Sequence, residues 1–151
     1  MSTLSRRLLQ TREIHPNSAT TDQILDRSAT IIETHGLAHS AHYLNPVTGD
    51  PSSTWLPGYP TDVAGAIAIV CGTPSVDGAQ HVAGFGPHAH GAHPAYVALA
   101  EHLGHAHVDG IFDWLDGRDA ACPCDRCRPQ AAADVVQALR DCARQLRERA
   151  A

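Results

Sequence analysis

The segment DVAGAIAIVCG, at positions 62–72, is apolar on nearly every side. A helix of that kind must be covered all round, so the other elements have to surround it. Thr61 and Asp62 open the helix. The rest of the chain can be read by asking what packs around it.

Three amphipathic segments answer. In TTDQILDRSATIIETHG, Thr20 and Gln23 are spaced as a capping box, and Asp22 suits the positive end of the helix dipole. Ile24, Leu25, Ser28, Ile31 and Ile32 share one face, and Gly36 provides the stop. PAYVALAEHLG starts on Pro94, lines up Tyr96, Leu99, Ala100 and Leu103, and ends at Gly104. The final segment, QAAADVVQALRDCARQLRERA, places Val135, Leu139, Cys142 and Leu146 on one stripe. Between them, Ile111, Phe112, Trp114 and Leu115 form a core plug. With only seven aromatic residues, the core must be built from small side chains on helices. No alternating strand pattern and no repeat occurs. The expected fold is mainly α: a compact single domain of about four helices over 20–151, joined by long Gly/Pro-rich loops. A flexible arm at 1–19 precedes it. The loop at 37–60 is long for a connection in a compact domain, which marks it as functional or mobile.

The start of the chain holds Arg6 and Arg7 but no apolar run follows them, so no signal segment is expected. No window is long and apolar enough to span a bilayer. The expected location is therefore cytoplasmic, with no membrane partner. Formal charge is −5 with histidine neutral, and the eleven histidines outnumber that charge. Its sign therefore depends on their protonation. The chain has no lysine, and its C-terminal arginines alternate with Asp141 and Glu148. That pattern is a solvated helix face, so nucleic acid is not an expected partner. An unidentified protein partner is.

Chemistry concentrates in two places. Cys122, Cys124 and Cys127 stand in CPCDRC, three of the chain's five cysteines. Closely spaced thiolates on one turn can supply several corners of a tetrahedral zinc site, and Pro123 stiffens that turn. In a reducing compartment metal ligation outcompetes disulfide formation. Three cysteines leave a fourth position open, for which Asp125 is a poor donor beside sulfur and Cys71 or Cys142 would serve if packing brought one close. A thioredoxin-like redox role would need βαβ patterning that is absent.

The second place is FGPHAHGAHPAYVALAEHLGHAH. His88, His90 and His93 read H-x-H-x-x-H, while His102, His105 and His107 follow the helix. Imidazole suits zinc or another transition metal, but a helix of this length spans ~16 Å, which keeps the two clusters from sharing one ion unless the flanking loops fold back. Ala92 stands where a metallo-β-lactamase pattern needs aspartate, and His102 and His105 are three apart where a zincin helix needs four. No Ser-His-Asp triad, phosphate loop or paired carboxylate is visible.

The order of motifs also resembles a known family. A capped helix ends in HG, a loop carries a tryptophan, and DVAGAIAIVCG, FDWLDGR and AAADVVQALRDCARQ follow. Over about 21–146 this is similar to a small helical domain of actinobacteria that has no assigned function. Members often show a CLLGA-type central helix, a W-N-D motif and a T-x-x-D-V-x-x-A-L-x-x-A-A ending. This chain departs from them in carrying Asp62-Val63 where that helix often opens with cysteine, and in inserting CPCDRC. The resemblance implies the fold and carries over no site residues. The leading expectation is a structural zinc in the CPCDRC loop of a binding or accessory module. The alternative is a metalloenzyme or metal-handling protein that uses the His-rich 81–107 segment.

Overall fold

The computed structural model of the protein describes residues 19–85, 91–117, 124 and 127–151. Among the described residues it is mainly helical, with six helices and no strand: α1 (Thr21–His35), α2 (Val63–Val70), α3 (Val76–Val82), α4 (Pro94–His102), α5 (Gly110–Asp116) and α6 (Ala132–Ala150). None is long and apolar enough to cross a membrane.

The central helix is where its composition requires it to be. Val63 through Ala68 are all buried, and α2 touches α1, α3 and α4. Asp62 caps it, its carboxylate accepting from Gly65 N at 2.7 Å, which satisfies one of the donors that a helix leaves open at its start. The α1 start also forms as its spacing demands, with Thr20 N donating to Gln23 Oε1 at 3.0 Å. Gly36 ends α1 at φ +101°, a conformation glycine adopts without strain. Helices α1 and α6 pack along each other. Ile24, Leu25 and Ile32 meet the buried stripe of Val135, Leu139 and Cys142 in one core cluster.

The helix count differs from expectation, six against about four. The two additional helices, α3 and α5, lie in stretches read as a Gly-rich loop and as a bare apolar plug. Ser75 Oγ accepts from Gly78 N at 3.1 Å, so the S-V-D-G run is a helix cap as well as a glycine-bearing turn. Gly78 is required there because a Cβ would collide with Thr73. In α5 only Ile111 and Leu115 are buried, while Phe112 and Trp114 lie half-buried at its edge.

The 37–60 segment is held down along its length. Thr61 bridges both Leu37 and Tyr43. Asp62 N donates to His42 O at 3.0 Å, and Leu44 N donates to Pro60 O at 3.1 Å. Tyr43 is fully buried, and its hydroxyl donates to Gly65 O at 3.1 Å. This tyrosine is the peg that fixes the loop against α2.

Candidate functional site

The ordered loop and the α2 cap together create a polar pair. The backbone bond from Asp62 N to His42 O brings the two residues side by side. There the His42 ring Nδ1 lies 2.8 Å from Asp62 Oδ2. Asp62 accepts on both oxygens, from Gly65 N and from the imidazole. A carboxylate can only accept, so the ring proton sits on Nδ1 and neutral His42 carries its lone pair on Nε2. Burial alone would lower the His42 pKa, but the Asp62 hydrogen bond and the charges of Asp62 and Asp116 outweigh it and hold the pKa above the usual 6.5.

This pair lines a cleft of about 280 Å³ with Ser40, Ala41, Phe112 and Asp116. Ser40 sits at φ +61°, the one non-glycine residue with positive φ among those described. Its backbone N donates to Asp116 Oδ1 at 3.0 Å, which holds the turn in that conformation. The Phe112 ring forms the apolar wall, stacked on Phe85 at 5.8 Å and tilted against His42 and Tyr96.

A second cleft, of about 480 Å³, lies between α2, α3 and the start of α4, with Cys71, His81 and His93 on its wall. Cys71 Sγ is 3.7 Å from His93 Nε2. Ala95 N donates to His93 Nδ1 at 3.0 Å, so that nitrogen carries the lone pair and Nε2–H faces the sulfur. His93 in this tautomer has no lone pair to take a proton from Cys71 or to bind an ion beside it. Burial raises the Cys71 thiol pKa and lowers that of His93, which keeps both neutral.

Cys122, His88 and His90 lie outside the described residues. His93 is the cap of α4 and belongs to the Cys71 contact. At the other end of α4, His102 Nδ1 meets Gln145 Oε1 at 3.0 Å, and His105 Nε2 is buried with no partner among the described residues. Among the described residues no three His, Cys, Asp or Glu side chains gather to hold a metal ion. Cys142 is buried, which pushes its thiol up to about 11, whereas Cys71 is half-buried on the wall of the second cleft. His35, in the last turn of α1, accepts at Nδ1 from Gly58 N at 2.9 Å, which ties the end of the helix to the 37–60 segment.

The cysteine loop is drawn together at its base. Gln130 N donates to Leu115 O at 3.0 Å, closing the chain just outside the loop. Gly117, at φ +80°, lies so close to the returning strand of chain that a Cβ would stand 2.6 Å from Cys127 O and 2.7 Å from Pro129 N. Inside the loop Cys127 N donates to Cys124 O at 3.3 Å, a turn that joins the two cysteines. His39 Nε2 donates to Gln130 O at 2.8 Å. With the Ser40–Asp116 bond, this ties both ends of the loop to the segment that forms the His42 cleft.

The His42–Asp62 pair and its Asp116 neighbour were missed by sequence reasoning. His42 and Asp62 are 20 residues apart, and no local spacing announces their meeting. The one available signal was Asp62 at the mouth of an all-apolar helix, where a buried carboxylate needs a partner.

No curated protein and no solved structure matches the chain. A family model described as a family of unknown function, DUF6197, matches residues 16–145. That span nearly coincides with the stretch whose motifs resemble the small helical domain. It covers most of the helical core, the His42 cleft and the cysteine loop. The chain belongs to this family of unknown function, DUF6197.

Proposed function

We propose that the protein is a small binding or accessory module, a single helical domain of the cytoplasm working with a protein partner. In this reading a zinc-type ion staples its CPCDRC loop. The observation that carries the proposal is the Cys124–Cys127 turn inside a loop closed at its base by the Leu115–Gln130 bond. A turn of this kind presents two thiolates from one short stretch, and Cys122, two residues earlier, supplies a third. The fourth corner is left to another side chain or an exogenous ligand. Among the described residues of this loop none belongs to the core cluster, so a metal cross-link would supply binding energy that adds to folding.

The role of such an ion is structural. It would hold Asp116 and Gln130 in place, and through them the 39–42 segment of the cleft. The His-rich segment supports a metalloenzyme less well. Among the described residues, His93 and His102 sit at opposite ends of α4 and each is engaged in another contact.

The test is chelation of the untagged protein. Thermal unfolding followed with and without a strong zinc chelator should show a fall in Tm and in cooperativity as zinc is lost. A melting curve unmoved by the chelator, in protein that holds no zinc, would leave an interaction module without metal.

A further inference from the structure

The His42 cleft is lined by Ser40, Ala41, His42, Asp62, Phe112 and Asp116. We infer that this cleft binds a small protonated amine, gripped between His42 Nε2 and the Asp116 carboxylate with its apolar part on Phe112.

Asp62 has both oxygens engaged, by Gly65 N and His42 Nδ1. Its work is to fix the imidazole so that Nε2 is an acceptor. No described group bonds to that Nε2, and it is not sealed away, since among the described residues the one buried unpartnered side-chain nitrogen is that of His105. Asp116 receives one backbone bond from Ser40, on Oδ1, which leaves acceptor capacity on a carboxylate. Ser40 supplies a hydroxyl, which donates or accepts. Among the described residues no arginine lines the cleft, and the chain has no lysine.

The cleft therefore holds acceptors and two carboxylates beside an aromatic ring. An ammonium group has three donors and no acceptor, and it gains further from the face of Phe112. An anion would meet both carboxylates. A divalent cation would find two available ligand side chains, His42 and Asp116, and no third among the described residues. The volume of about 280 Å³ suits a molecule the size of a substituted benzene or smaller.

The pH behaviour follows from the charges that act on His42, Asp62 at the start of α2 and Asp116 at the end of α5; from α4 the buried Tyr96, a neutral phenol, packs on Phe112. As pH falls through the His42 pKa, Nε2 gains a proton and repels the amine. By linkage the bound amine must lower that pKa.

A charge series on one ring tests this: benzylamine, benzyl alcohol and benzoate titrated into the full chain while the His42 ring resonances are followed by NMR. The expected result is saturable movement with benzylamine at about pH 8, weakening about tenfold by about pH 5. Benzyl alcohol and benzoate should bind at least about tenfold more weakly. Asp116→Asn, checked for native circular dichroism, should weaken benzylamine about fivefold. Benzoate or benzyl alcohol binding as tightly as benzylamine would overturn the proposal. So would His42 resonances that no member of the series moves, or that magnesium alone saturates.

Discussion

His39 and Gln130 lie 91 residues apart, yet the imidazole Nε2 of the first donates to the carbonyl of the second at 2.8 Å. One residue on, Ser40 N reaches Asp116 Oδ1 at 3.0 Å. These two bonds make the 39–40 segment a shared wall between the cysteine loop and the His42–Asp62 cleft. What orders one should order the other.

Removing the His39 side chain should therefore loosen both. His39→Ala deletes one half-buried hydrogen bond, a loss of ~1 kcal/mol. Urea unfolding would read that loss, and zinc competition would read a weaker site in the same variant. Unchanged values in both assays would mean that the bond pins nothing.

Asp62 has two separable duties. Asp62→Asn keeps an oxygen to cap α2 but removes the charge beside His42, so burial is no longer opposed by a carboxylate partner and the His42 pKa should fall. In the wild type that pKa is raised, so the protonated imidazole adds stability that is fully present below the ordinary value of 6.5 and is lost as pH rises through the folded value. The stability gap between wild type and Asp62→Asn should be wider at about pH 5 than at about pH 8. Parallel pH profiles for the two proteins would contradict this. Asp62→Ala loses the cap as well and should cost ~1–3 kcal/mol at either pH.

Gly65 is needed for space. Its φ is ordinary for a helix, so alanine should gain from helix propensity by up to ~1 kcal/mol. However, a Cβ there would stand 2.7 Å from Tyr43 Cε1 and 2.9 Å from His42 O, and against Thr61 Oγ1. Overpacking of this kind costs ~1–3 kcal/mol, so Gly65→Ala should lower Tm. A raised Tm would show that Tyr43 gives way easily and is not the peg described above.

The thiols should differ in accessibility. Cys124 is exposed, whereas Cys142 is 2% exposed and its thiol is pushed up to about 11. In metal-stripped protein, iodoacetamide should alkylate Cys124 well before Cys142, whose reaction waits on unfolding. Equal rates would place Cys142 outside the core.

Much of this architecture could be read from the chain. The all-apolar run at 62–72 announced a central helix, the Thr20–Gln23 spacing announced the start of α1, and the Val135–Leu139–Cys142 stripe announced the face of α6. Helix α3 was hidden because its cap, Ser75 with Gly78, looks like a turn when glycines are taken only as breakers. The cleft was hidden for a different reason. Its parts come from a loop, a helix start and a helix end, and they meet only once Tyr43 has docked on Gly65. Spacing reports what one element can do, and this site needs three. The cysteine turn is the opposite case, because its residues are neighbours in sequence.

The central claim is the metal staple, and elemental analysis tests it most directly. Protein purified without a histidine tag or added metal should hold about one zinc per chain, and a Cys122→Ser, Cys124→Ser, Cys127→Ser variant should hold none. Zinc retained in the variant would move the site to other residues. Its absence from the wild type would contradict the account.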